Sequence, residues 1–140
     1  MRRRDPLGQL GLFSGCTPAQ VDRVRSLLTM LRVEPGTVLM GQGTFGFEFL
    51  IIAEGEALVT VQTPDGVRTL ATLGTGDFAG EMSLLAGSRR SATVTAVTPL
   101  TFYVCNVAEF AGILDIAPSV GQRIALTAAA REQANRRLAA

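Results

Sequence analysis

From residue 31 to residue 106 the chain never runs far before a glycine, proline or aspartate interrupts it, and the runs between favour strands. These runs are 38–40, 47–53, 57–62, 67–73, 92–97 and 100–105. Many short strands at such spacing fit an antiparallel barrel or sandwich, not a parallel sheet with crossover helices. Pro64-Asp65-Gly66 marks a hairpin turn, with proline fixing one backbone angle and glycine admitting a positive φ.

At both ends the apolar period becomes helical. After an apolar lead-in at 7–13, Thr17-Pro18 offers a cap and a first-turn proline. The expected helix runs to about Met30, with Val21, Val24, Leu27, Leu28 and Leu31 on one face. Asn106 caps a helix over 107–114, and Pro118 opens a last helix rich in alanine. Its apolar face is thin (Val120, Ile124, Leu138), so its far end is expected to be held loosely. The whole chain, 1–140, reads as one domain: a helical segment at 7–30, strands at 31–106 and helices at 107–140.

Composition removes several function classes. There is no histidine, and Cys16 and Cys105 lie far apart, so a metal-dependent barrel enzyme or a histidine-assisted nucleophile is not expected. The two cysteines are expected to be free thiols. A net charge of +1 gives no electrostatic basis for nucleic-acid or membrane binding, and Arg2-Arg3-Arg4 reads as a solvated terminus. No apolar run approaches the roughly 18 residues of a membrane span, and the N-terminus lacks the apolar core of a secretory signal. A cytoplasmic location is expected.

The stretch from Gly74 to Ala96, GTGDFAGEMSLLAGSRRSATVTA, carries the chemistry. Gly80 permits close approach of backbone to a ligand, and a helical turn starting at Glu81 directs unpaired N–H groups outward. Arg90, from the far end of the following loop, can meet a phosphate through two parallel bonds. Glu81 offers an acceptor for a hydroxyl. Arg90 could instead be a surface residue paired with Glu81, but that leaves the small Gly80, Ser83, Ser91 and Ala92 around it unexplained.

This segment resembles the phosphate-binding cassette (76–93 here) of the cyclic nucleotide-binding domain family, through Gly80-Glu81, Ser83 and Arg90-Ser91-Ala92. Glu34-Pro35-Gly36, Gly41-Gln42-Gly43 and the run from Phe49 to Gly55 resemble that family's glycine-punctuated strands. The resemblance implies a mainly β fold, a jelly-roll-like β-roll of about eight strands with flanking helices. It also implies a non-catalytic sensor module. Glu81 would accept from the ribose 2′-OH, Arg90 would hold an equatorial phosphate oxygen, and N–H groups around Met82, Ser83 and Ser91 would complete the cradle. Arg89 is left to solvent. Ser91 favours cyclic AMP, since a threonine there often accompanies cyclic GMP in the family. Thr127, Arg131, Gln133 and Asn135 are candidates for the base edge, and ligation would move the last helices.

Ala79 and Leu50 depart from common family residues without touching the phosphate or ribose positions. Of the aromatics, Phe45, Phe47, Phe49 and Phe78 are expected to fill the barrel or close its ends. DNA binding by this chain alone is not expected; a second copy or a linked effector domain is the expected partner. The alternative function is a degenerate docking or dimerisation module that binds no nucleotide.

Overall fold

The computed structural model describes residues 6–139, with Met82, Leu85, Ala86, Asn135, Leu138 and Ala139 described through their backbone alone. Arg2-Arg3-Arg4 and Ala140 lie outside the described residues, as does the Leu138 side chain expected on the last helix's apolar face.

Eight strands form two four-stranded antiparallel sheets. β1 (Thr29–Val33), β8 (Leu100–Asn106), β3 (Glu48–Glu54) and β6 (Phe78–Ala79) make one sheet in that order. β2 (Val38–Met40), β7 (Thr93–Ala96), β4 (Ala57–Thr63) and β5 (Gly66–Leu73) make the other. Pro64-Asp65 closes the hairpin that pairs Thr63 with Gly66.

The period of two along a strand builds two apolar clusters from one sheet. All five central residues of β3 are buried. Phe49, Ile51 and Ala53 face the helices, while Leu50 and Ile52 face the opposite sheet with Met40, Leu73, Val94 and Phe102. β8 divides in the same way, with Tyr103 and Cys105 on the helical side and Leu100 and Phe102 between the sheets.

Two short 3-10 turns (Leu7–Gln9 and Gly11–Phe13) lead into α1 (Pro18–Arg25). Thr17 and Gln20 form a reciprocal capping box: Gln20 N–H donates to Thr17 Oγ1 at 3.1 Å and Thr17 N–H to Gln20 Oε1 at 2.8 Å. The helix stops at Arg25, well short of the expected Met30. Val21, Val24, Leu27 and Leu28 do pack on the helical-side core, but Leu31 is exposed. Residues 29–33 form β1 instead, because their backbone groups find partners in Leu100–Val104 across the sheet. Long-range pairing overrode a continuing helical pattern.

Asn106 caps α3 (Val107–Ile116) in a second capping box with Glu109. Phe110 and Ile113 of α3 are buried, and the Phe110 ring lies 4.9 Å from that of Phe49. α4 (Pro118–Ala139) packs through Val120 and Ile124. Both cysteines are free. Phe49 and Phe78 are buried as expected, whereas Phe45 and Phe47 are exposed at 57% and 67% because the loop carrying them lies outside the sheets. Among the described residues no helix is long and apolar enough to cross a membrane.

Candidate functional site

The cassette is anchored to β3 before it turns. Ile52 N–H donates to Asp77 O and Gly76 N–H to Ile52 O, each at 2.8 Å, while Asp77 Oδ2 accepts from Gly74 N–H at 2.8 Å. β6 then leads to Gly80, whose φ of +99° begins α2 (Glu81–Ala86). A Cβ at Gly80 would stand 2.4 Å from the Glu48 carbonyl oxygen, so this turn admits only glycine. The first intrahelical bond of α2 runs from Leu84 N–H to Gly80 O at 3.3 Å, so the N–H groups of Glu81, Met82 and Ser83 precede the helical ladder.

Arg90 is buried, 8% exposed, and its guanidinium lies across the same turn. Nη1 donates to Gly80 O at 3.2 Å and Nη2 to Glu48 O at 2.7 Å. The loop between β2 and β3 encloses it: Arg90 N–H donates to Thr44 O at 2.6 Å, and Gly43 N–H to Arg90 O at 2.8 Å. Among the described residues no carboxylate forms an ion pair with Arg90. Burial pulls its pKa below the ordinary arginine value, opposed by the more distant charges of Glu48 and Glu81. The positive charge is thus desolvated and held by neutral carbonyls.

Glu81 is only 1% exposed. Its Oε1 accepts from Arg131 Nη1 of α4, and its Oε2 is buried with no hydrogen-bond partner. An unpaired buried carboxylate oxygen is costly, and such exceptions call for an explanation. The guanidinium of Arg131 also donates through Nη2 to Phe78 O at 2.7 Å and lies 5.0 Å above the Phe78 ring.

A small hollow of about 70 Å³ brings together Gly80, Glu81, Ser83, Arg90, Ser91 and Ala92. These are the residues singled out in the sequence, apart from Met82, whose side chain lies outside the described residues. Val59, Ser91 and Ala92 also line a neighbouring cavity of about 810 Å³ between β4–β5 and α4. Of the base-edge candidates, Thr127 and Arg131 line this larger space; Gln133 is exposed outside it, and the Asn135 side chain lies outside the described residues. Arg89 is exposed as expected but not loose. It donates to Gly43 O at 2.9 Å and covers the Phe45 ring at 4.5 Å.

Two contributors escaped the sequence reading. Gly46 makes room for the Arg90 side chain, and Glu48 supplies a carbonyl to it. A glycine between two exposed phenylalanines was the available signal for the first. The second acts through its backbone, which no side-chain pattern reveals. Among the described residues no group of three histidine, cysteine, aspartate or glutamate side chains is placed to hold a metal.

Residues 30–116 match the cyclic nucleotide-binding domain family. The chain is 32% identical over 114 residues to the acetyltransferase Pat of Mycolicibacterium smegmatis, covering 81% of this chain and 34% of that protein. It is 38% identical over 94 residues to a cAMP-dependent protein kinase regulatory subunit of Yarrowia lipolytica, covering 67% of this chain and 24% of that one. Among solved structures, the Thermus thermophilus catabolite activator protein superposes with a TM-score of 0.81 at 30% identity, over 91% of this chain and 61% of that chain. The chain therefore spans about a third or less of the two relatives matched by sequence. With its two-sheet β-roll, its terminal helices and its cassette, the chain belongs to the cyclic nucleotide-binding domain family.

Proposed function

We propose that this chain binds a cyclic nucleotide reversibly, cyclic AMP in preference to cyclic GMP, and acts as a non-catalytic cytoplasmic sensor. The observation that carries the reading is the Glu81 carboxylate. Its Oε2 is buried without a partner in the wall of a hollow that also contains the desolvated Arg90 guanidinium. A ligand with one negative charge and a neighbouring hydroxyl complements both.

Each part of the ligand has a place in this scheme. An equatorial phosphate oxygen takes the Arg90 guanidinium, which offsets the cost of burying that charge. The ribose 2′-OH donates to Glu81 Oε2. The N–H groups around Met82, Ser83 and Ser91 complete the phosphate cradle, beside Gly80 and Ala92. The base occupies the larger cavity under α4, between the β4–β5 surface and Thr127. Ser91 lines both spaces, and its serine, in place of threonine, supports the preference for cyclic AMP.

Ligation is transmitted by movement of α3 and α4 to a partner chain or a linked effector. The kinase regulatory subunit named for its dependence on cyclic AMP supports this class of ligand. Titration calorimetry with cyclic AMP and cyclic GMP tests the proposal. Heat with cyclic AMP, exceeding that with cyclic GMP at equal concentration, is the expected result. No binding of either to well-folded protein would instead favour a docking module.

A further inference from the structure

We propose that Gln42 is a positioning residue for the anion site: its side-chain amide completes the end of the β4 ladder in place of backbone, which frees residues 90–92 to leave the sheet and aims Arg90 into the hollow. This rests on the nucleotide reading above and concerns how its phosphate contact is built.

β4 is longer than its pairing with the strand beside it. Its pairs with β7 end at Thr60 and Thr93, while β4 itself runs on to Thr63. The same register, continued, would set Ser91 opposite Gln62 and draw the chain from Arg90 to Ala92 along the sheet. Gln42 stands there instead. Gln62 N–H donates to its Oε1 at 2.7 Å and its Nε2 reaches Gln62 O at 3.5 Å, the acceptor and donor that an opposing backbone residue would offer. The shorter bond is the anchor. The backbone N–H of Gln42 also donates to Thr93 Oγ1 at 3.0 Å, which closes the corner against the first residue of β7. The Gln62 backbone is thus paired without a strand, and Ser91 and Ala92 line the cassette hollow.

The loop that begins at Gln42 carries the cradle of Arg90. Gly43 N–H donates to Arg90 O at 2.8 Å, and Arg90 N–H donates to Thr44 O at 2.6 Å. Gly46 lies against the guanidinium, and the Glu48 carbonyl accepts from Nη2. Arg89 also grips this loop, through Gly43 O and the Phe45 ring, but it joins loop to cassette and fixes neither to β4. Gln42 ties the loop to β4, whose Val59 lines the same hollow. The direction of the buried guanidinium is therefore referred to the sheet through one exposed amide.

The experiment compares the wild type with Gln42→Leu and Gln62→Ala. Leucine removes the amide but keeps an aliphatic side chain, and Gln62→Ala retains the backbone groups that Gln42 meets. Calorimetry measures cyclic AMP, its 2′-deoxy analogue and the two diastereomers in which sulfur replaces one exocyclic phosphate oxygen. Sulfur accepts hydrogen bonds poorly, so the isomer with equatorial sulfur should bind the wild type about tenfold more weakly than the other. In Gln42→Leu, cyclic AMP should bind about tenfold more weakly and the two isomers should differ by no more than about threefold, because the guanidinium is no longer aimed. Discrimination against the 2′-deoxy analogue should be unchanged, since Glu81 is untouched. A general loss of stability would lower every affinity alike and preserve the isomer ratio. In the unliganded Gln42→Leu protein the Gly43 and Arg90 amides, which cross between loop and cassette, should exchange hydrogen faster. Gln62→Ala should match the wild type throughout. A Gln42→Leu protein that keeps the wild-type isomer ratio and the protection of those two amides overturns the inference and leaves nucleotide binding intact. A wild type that binds neither cyclic AMP nor cyclic GMP removes the functional reading itself, and this inference with it.

Discussion

Gly46 lies directly against the side chain of Arg90: a Cβ built on its backbone would stand 2.0 Å from Nε and 2.1 Å from Cζ. The contact makes the loop between β2 and β3 part of the proposed anion site, although Gly46 contributes no functional group of its own. Gly46 has no positive φ, so alanine fits its backbone and only the guanidinium must yield. Gly46→Ala should leave the fold intact and weaken cyclic AMP binding by about tenfold or more, through misplacement of the Arg90 guanidinium. Calorimetry with a parallel thermal melt checks both halves.

Arg90→Ala should cost about 2–5 kcal/mol of cyclic nucleotide binding, because the ligand phosphate would then be buried opposite nothing. Arg89→Ala is the matched control. It removes a cation over Phe45, worth about 0.5–1 kcal/mol of stability at an exposed site, and should leave affinity unchanged. Equal losses of affinity from the two would mean that the anion site is elsewhere.

Glu81→Ala should weaken cyclic AMP and leave the 2′-deoxy analogue unchanged, since the analogue has no hydroxyl to lose. The expected difference is about 1.5–3 kcal/mol, the value of a hydrogen bond to a charged group. Competition binding with both nucleotides measures it, and an equal loss for both would remove the hydroxyl assignment.

Gly80→Ala tests the turn itself. At φ +99° an L side chain is strained, and the new Cβ would meet the Glu48 carbonyl oxygen at 2.4 Å. A stability loss of about 1–3 kcal/mol is expected from the backbone conformation, read from the denaturation midpoint.

Cys105 gives the chain a stability term at alkaline pH. Burial, with Glu109 and Glu48 adding to it, pushes its thiol up to about 12 from an ordinary value of 9.0. The folded state then retains a proton that the unfolded state releases above pH 9. The contribution is fully present below that pH and is lost as pH rises towards about 12, with a slope of about 1.4 kcal/mol per unit. Cys105→Ala should remove this slope relative to the wild type in denaturant melts between pH 9 and pH 11. The same burial should leave Cys105 unreactive to alkylating reagents until the protein unfolds.

Local chemistry explains most of what the sequence conveyed. Thr17 with Gln20 and Asn106 with Glu109 are capping boxes written in four consecutive residues each, so both helix starts were legible. The hairpin at Pro64-Asp65 and the alternation of Phe49 to Ala53 between two apolar surroundings follow equally short rules. β1 was not legible, because Thr29–Val33 continues an apolar helical stripe and turns to strand only in the presence of β8. Phe45 and Phe47 misled for a related reason. Aromatic residues signal burial on average, and here they lie on a loop whose course is set by Arg90 and Arg89.

By itself the sequence determined a series of short antiparallel strands and the helix caps, which depend on contacts a few residues apart or on a period that a single strand carries. The β-roll and the set of residues around the cassette hollow were legible only through the resemblance to a known family. Tertiary structure alone decided which charges meet. Glu81 and Arg131 are 50 positions apart, and Arg90 and the Glu48 carbonyl are 42 apart. Nothing in the neighbourhood of either residue announces its partner. Ion pairs and close approaches of this kind are fixed by how the sheets and α4 pack, so they emerge only once the chain has closed on itself.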